Sequence, residues 1–228
     1  MRTSFFLFLF FIISLIHLFS EFFGWAPVVV WTKILLMPLL MLALWRGLAK
    51  NEINISVQLA LLALVFSTAG DLFLLAEKTK NLEIYFYLGL GSFLLAQLSY
   101  CFSFMRSGHH PLPVIWKAIY PLYYLVFIFL LIPVLPPVLL IAVMVYGLSL
   151  TAMAWNSWRT LTGKGWWAYA GIAGAILFLI SDSLLAINRF KTNIPHAGFW
   201  IMATYIGAQY LIIQGIADKS RSKLNFVH

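Results

Sequence analysis

FSTAGDLFLL, residues 66–75, places an acidic side chain, Asp71, inside an apolar run over about 56–76 that is long enough to cross a bilayer. A carboxylate in that setting costs about 2.5–3.5 kcal/mol on insertion scales, so its default reading is a functional group facing a cavity. The competing reading is a packing carboxylate tied to backbone or to a basic partner. LFLISDSLLA, residues 177–186, repeats the setting around Asp182. The chain has only seven Asp and Glu, and two of them sit in the middle of apolar runs.

Composition fixes the class. Of 228 residues 63% are hydrophobic and 10% charged, with a mean hydropathy of +0.94, more apolar surface than a soluble core could hide. The expected fold is all-α, a single polytopic membrane helix bundle. The single Cys101 excludes an intrachain disulfide and a multi-cysteine metal site. The net charge of +8 is scattered between apolar runs instead of lying on one polar face, which speaks against nucleic acid. HExxH, clustered Cys/His, GxSxG and phosphate-cradling glycine motifs do not occur, so no metal or other cofactor is expected.

Taken in order, eight apolar spans follow from the pattern, at about 4–20, 26–48, 56–76, 82–104, 113–132, 135–156, 166–187 and 197–217. The first could pass for a signal peptide, but no small-x-small cleavage site follows it. MRSGHHPLP, 105–113, is the longest break and the natural midpoint; PVLPP, 133–137, makes a tight turn because consecutive prolines cannot continue a helix. Trp25, Trp45, Tyr85, Trp158, Trp166, Trp167 and Trp200 near span ends suit interfacial belts. His109 and His110 read as ordinary loop residues, and His17 stands alone near the end of the first span.

One face carries Arg2, Arg46, Lys50, Arg106, Lys117, Arg159, Lys164, Lys219, Arg221 and Lys223; the other carries Lys78, Lys80, Arg189 and Lys191. Ten against four puts both termini in the cytoplasm, in what is expected to be a bacterial inner membrane. Asp71 and Asp182 then lie five residues before the non-cytoplasmic ends of their spans, ~8 Å deep, and Lys33 lies ~10 Å deep from the same side. The economical arrangement is one polar cavity shared by all three, with Lys33 paired to one carboxylate. Tyr85, Tyr87 and Tyr205 occupy the outer halves of their spans, Asn188 and His196 border the mouth, and Gln97 and Gln209 lie deeper.

The halves echo each other. Asp71 and Asp182 are 111 residues apart, and Ala96-Gln97 precedes Ala208-Gln209 by 112. The expectation is a parallel four-plus-four internal repeat about an axis along the membrane normal.

TKILLMPLL (32–40), FSTAGDLFLL (66–75), GLGSFLLAQLSY (89–100), GAILFLISDSLLAINRF (174–190) and YIGAQYLI (205–212) resemble successive blocks of the YhhN family of integral membrane proteins, which includes the lysoplasmalogenases. The resemblance implies hydrolysis of the vinyl ether bond of lysoplasmalogens to a fatty aldehyde and glycerophospho-ethanolamine or -choline. It maps the family's acidic positions onto Asp71 and Asp182 and its basic position onto Lys33. It carries one departure: a His is expected in the fourth block, where this chain has Gln97.

Two carboxylates suit that chemistry. Protonation of a vinyl ether at its β-carbon gives an oxocarbenium ion that water captures as a hemiacetal, which collapses to aldehyde and alcohol. A carboxylic acid held neutral by an apolar setting can deliver the proton while an ionised neighbour stabilises the cation. Asp182 is assigned as the acid and Asp71 as the stabilising base, because Lys33 in the earlier block favours the ionised form of Asp71; the reverse assignment stays open from the sequence. Lys33, Tyr85, Tyr205, Asn188, Gln97 and Gln209 are the candidate substrate contacts. The alternative is a proton-coupled lipid or small-molecule transporter using the same aspartates.

Overall fold

The computed structural model describes residues 2–108, 110–161 and 169–225. Among them every regular element is helical: α1 Arg2–Phe23, α2 Ala26–Gly47, α3 Ile55–Lys80, α4 Glu83–Ser107, α5 Val114–Leu131, α6 Pro137–Ser157, α7 Ala170–Phe190 and α8 Ala197–Asn225. With the short 3₁₀ turns that prolong α5 and α6, all eight are long and apolar enough to span a membrane.

The chain runs up and down between two ends. At the end holding both termini, the C-terminal part of α8 ties the links together. Arg221 Nη2 donates to Gly47 O at 3.0 Å, Lys219 Nζ to Leu161 O at 2.8 Å, and the Ser220 hydroxyl to Glu52 O. Arg159 Nη1 reaches Gly108 O at 3.3 Å. At the opposite, hairpin end, Arg189 pairs with Glu77 at 2.7 Å, and the Phe22 ring stacks on His196 at 4.4 Å. Gly24, at φ 73°, supplies the left-handed residue that lets α1 turn into α2 within two residues.

Several helices run past the apolar limits. Polar Glu77–Lys80 stays helical in α3 because Asn54 caps the start, accepting from Ser56 N and Val57 N. Asn81, left-handed at φ 52°, closes the end by donating to Glu77 O. Asp71 is therefore nine residues from the end of α3 and Asp182 eight from the end of α7, ~14 and ~12 Å along the axis instead of ~8 Å. Hydropathy fades where the backbone still prefers its own hydrogen bonds, so composition shortens these helices. Trp25, Trp45 and Trp200 are about half exposed, but Trp158 turns inward, donating to the Tyr120 hydroxyl at 3.2 Å. His109, Lys164, Trp166, Trp167 and the expected start of the seventh span lie outside the described residues.

Close helix pairs set the frame. A Cβ on Gly174 would stand 2.6 Å from Ile212 N and 2.8 Å from Ala208 O, and one on Gly215 only 2.5 Å from Gly171 N. Without side chains there, α7 and α8 approach backbone to backbone, gaining dispersion contacts that lipid cannot match. Between α3 and α4, Ser56, Ser103 and Ser107 share hydroxyl bonds of 2.8–2.9 Å. Helix α5 is peripheral: it buries only Tyr120, Ile128 and Leu131 and turns residues such as Phe129 outward, to where lipid would lie.

Candidate active site

Asp182 projects from α7 toward α4 and α6. Its Oδ2 accepts two hydrogen bonds, from the Tyr146 hydroxyl at 2.5 Å and from Gln97 Nε2 at 3.1 Å. The Gln97 amide is oriented in turn by Ser149, whose hydroxyl meets Gln97 Oε1 at 2.6 Å. Among the described residues Asp182 has no cationic partner, and its Oδ1 accepts no protein hydrogen bond. Asp182 and Tyr146 line a groove whose walls include Phe86, Leu90, Phe93, Phe127 and Val143. The space enclosed, open mouth included, is about 680 Å³. Arg189 lines the groove too, so the trough is apolar with one carboxyl, one guanidinium and a few hydroxyls, the kind of lining that suits a hydrocarbon chain ending at a polar group.

Asp71 belongs to a second network. Its Oδ1 lies 3.4 Å from Lys33 Nζ, on α2, and its Oδ2 accepts the Tyr205 hydroxyl, on α8, at 3.0 Å. One turn earlier Ser67 Oγ accepts from Gln209 Nε2 at 3.0 Å, while Gln209 Oε1 accepts the Tyr100 hydroxyl at 2.5 Å. Ser67, Tyr100 and Gln209 have no exposure at all, and this ladder satisfies every polar atom it buries. The Tyr205 ring meets the edges of Phe93 and Phe178 at 6.0 and 5.7 Å.

The sequence expectation was one cavity holding both aspartates and Lys33. The structure puts the two aspartates in different hydrogen-bond networks. Lys33 does pair with a carboxylate, Asp71, but Asp71 is not among the residues lining the groove, and Phe93 stands between the groove and Tyr205. Lys33 instead opens onto two cavities at the hairpin end. The echo between halves is partial. Gln97 bonds a carboxylate, whereas Gln209 bonds Ser67 and Tyr100.

Asn188 borders one hairpin-end cavity, although its Oδ1 also accepts Ile194 N at 2.9 Å. Tyr85 lies apart: it is not among the groove residues, and its hydroxyl accepts from Lys80 at 3.2 Å beneath that ammonium. Tyr146 and Ser149 were missed by the sequence reading. Their spacing of three in an apolar run puts two polar groups on one helical face, a signal that was there to be used. His17, apparently isolated in the sequence, is fully buried against Thr32 at 2.8 Å.

These features define an all-α, polytopic integral membrane protein with a carboxyl group on an intramembrane groove. More particularly, the chain belongs to the YhhN family, whose model matches residues 28–216. It is 33% identical to lysoplasmalogenase TMEM86B of Sus scrofa over 165 residues, 72% of this chain and 65% of that protein. It is 35% identical to lysoplasmalogenase TMEM86B of Homo sapiens over 66% of this chain and 59% of the relative. To lysoplasmalogenase TMEM86A of Homo sapiens it is 30% identical over 80% and 77%. The chain thus spans less than two thirds of the length of the TMEM86B relatives. No solved structure matches it. The relatives bear an enzyme's name, and the transporter reading gains no support from them.

Proposed function

We propose that this protein is a membrane-embedded hydrolase that cleaves the vinyl ether bond of lysoplasmalogens, with Asp182 as the proton donor. The observation that carries the assignment is the free Oδ1 of Asp182 at an apolar groove, with both donors gathered on Oδ2. The alkenyl chain lies in the groove. Protonated Oδ1 delivers its proton to the β-carbon of the vinyl ether, and the positive charge moves to the α-carbon and ether oxygen. The carboxylate left behind is stabilised by Tyr146 and Gln97, whose bonds strengthen as its charge develops. Water adds to the oxocarbenium ion and returns a proton to Asp182. The hemiacetal then collapses to fatty aldehyde and glycerophosphoryl alcohol, so the net change is addition of one water.

Asp71 acts at one remove, holding Lys33 beside the hairpin-end cavities and Tyr205 behind Phe93. This narrows its role from stabilising base to positioning residue. Lys33 and Asn188 face the head of the substrate, Gln97 orients the acid, and Gln209 braces the helices. The excess of basic residues at the terminal end supports a cytoplasmic location of both termini. Names and family of the relatives support the substrate class.

The test is aldehyde release by purified protein from a lysoplasmalogen, beside alkyl-ether and acyl lysophospholipids. Asp182→Asn should lower turnover by at least the roughly 10²–10⁴-fold that general acid catalysis contributes. Near-normal aldehyde release by a folded Asp182→Asn protein sinks the assignment.

A further inference from the structure

Two adjoining cavities at the hairpin end, of about 790 and 670 Å³ with their mouths, share Glu21, Lys33, Leu74 and Lys78. The second also meets the apolar groove, having Leu74, Phe86, Leu185 and Arg189 in common with it. A lipid whose chain fills the groove therefore has its head in these cavities.

Most of the charge there is already used. Lys33 is held by Asp71, and Arg189 is held by Glu77 at 2.7 Å and by the Phe86 ring at 4.6 Å. Two groups remain. Lys78 has no ion pair or hydrogen bond among the described residues. Glu21, only 14% exposed, is the other; it sits at the start of α8 against Gly198, and its one ionisable neighbour within 4.0 Å is His17, Nε2 at 3.9 Å.

His17 makes no hydrogen bond to Glu21. The His17 ring is tied to α2 instead, its Nδ1 2.8 Å from Thr32 Oγ1, which itself reaches Val28 O at 2.7 Å. Its Nε2 is a buried nitrogen without a hydrogen-bond partner. Glu21 and Lys78 thus line the same cavities, more than 4.0 Å apart; Lys78 is exposed, and Glu21, largely buried, has no hydrogen-bonded cation.

We infer that these cavities form a site for a zwitterionic phosphoethanolamine head group, its phosphate on Lys78 beside Lys33 and its ammonium on Glu21. The identity of the lipid rests on the hydrolase reading. An anion on Lys78 and a cation on Glu21 complete both unmatched charges at once. A primary ammonium has three N–H donors to give a carboxylate that no protein donor bonds, whereas the trimethylammonium of choline has none. The site therefore prefers ethanolamine to choline.

The experiment compares kcat/KM on three alkenyl substrates: the glycerophosphoethanolamine, the glycerophosphocholine and the phosphate-free alkenylglycerol. Lys78→Gln should lower the ratio of phosphorylated to phosphate-free turnover about tenfold, the worth of one charge-assisted bond. Glu21→Gln should bring the ethanolamine-to-choline ratio close to one. An unchanged phosphate ratio in Lys78→Gln, or an unchanged head-group ratio in Glu21→Gln, overturns the inference. If the wild type releases aldehyde from none of the three, the hydrolase reading fails. The site is then judged by binding of the uncleavable alkyl-ether lysophosphoethanolamine: weaker binding to Lys78→Gln supports it, and equal binding overturns it.

Discussion

Replacing Tyr146 by Phe removes one oxygen and leaves the ring in the groove wall. The lost group donates to Asp182 Oδ2 at 2.5 Å, beside the second donor, Gln97 Nε2, at 3.1 Å. If Asp182 gives up its proton in the slow step, this hydrogen bond is made to a neutral acid in the ground state and to a carboxylate in the transition state. Bonds to charged groups are worth about 1.5–3 kcal/mol and neutral ones about 1. At 1.36 kcal/mol per factor of ten, losing the difference of about 0.5–2 kcal/mol between the two lowers kcat/KM by about 2- to 30-fold. Because the difference arises as charge develops, kcat should fall more than KM rises. Aldehyde release from a lysoplasmalogen in detergent micelles, followed at several substrate concentrations, measures both. A Tyr146→Phe protein with wild-type melting behaviour and kcat within twofold of wild type would refute the claim that Asp182 becomes charged in the slow step.

The other expectations concern stability. Lys33→Met strands the Asp71 carboxylate, 4% exposed, and should destabilise the protein by about 3–5 kcal/mol, visible as a lower melting temperature in detergent; adding Asp71→Asn should restore much of it, and a non-recovering double variant would contradict the pairing. Gly174→Ala should cost about 1–3 kcal/mol, because its Cβ would meet α8 backbone atoms. Gly91→Ala, with nothing within 4 Å of the new Cβ, should melt like wild type, and equal losses at the two sites would argue against the α7–α8 packing described.

The eight spans and the two carboxylates were legible in the sequence because a bilayer imposes a one-dimensional rule: about 20 apolar residues per crossing, with any intramembrane charge standing out against them. Lys33, Asp71 and Asp182 could all be picked out on that ground alone, whereas Gln97 entered through its echo in Gln209 and the family resemblance. Helix ends were not, since a polar stretch such as Glu77–Lys80 stays helical through its own backbone bonds and the Asn81 cap, neither of which hydropathy records. Nor could depth say which way a side chain points. Asp71 and Asp182 look alike along the chain, yet rotation and packing of α3 and α7 give one a lysine and a tyrosine and leave the other on an apolar groove with a free oxygen. Tyr146 and Ser149 matter only because α6 turns that face toward Asp182 and Gln97. Lys78 and Glu21 come to the same cavities only because α1 and α3 meet at the hairpin end. The sequence by itself determined what crosses the membrane and which charges must be explained. Only the tertiary structure decided which charges meet, because pairing depends on helix rotation and on contacts between residues as far apart as Asp71 and Tyr205.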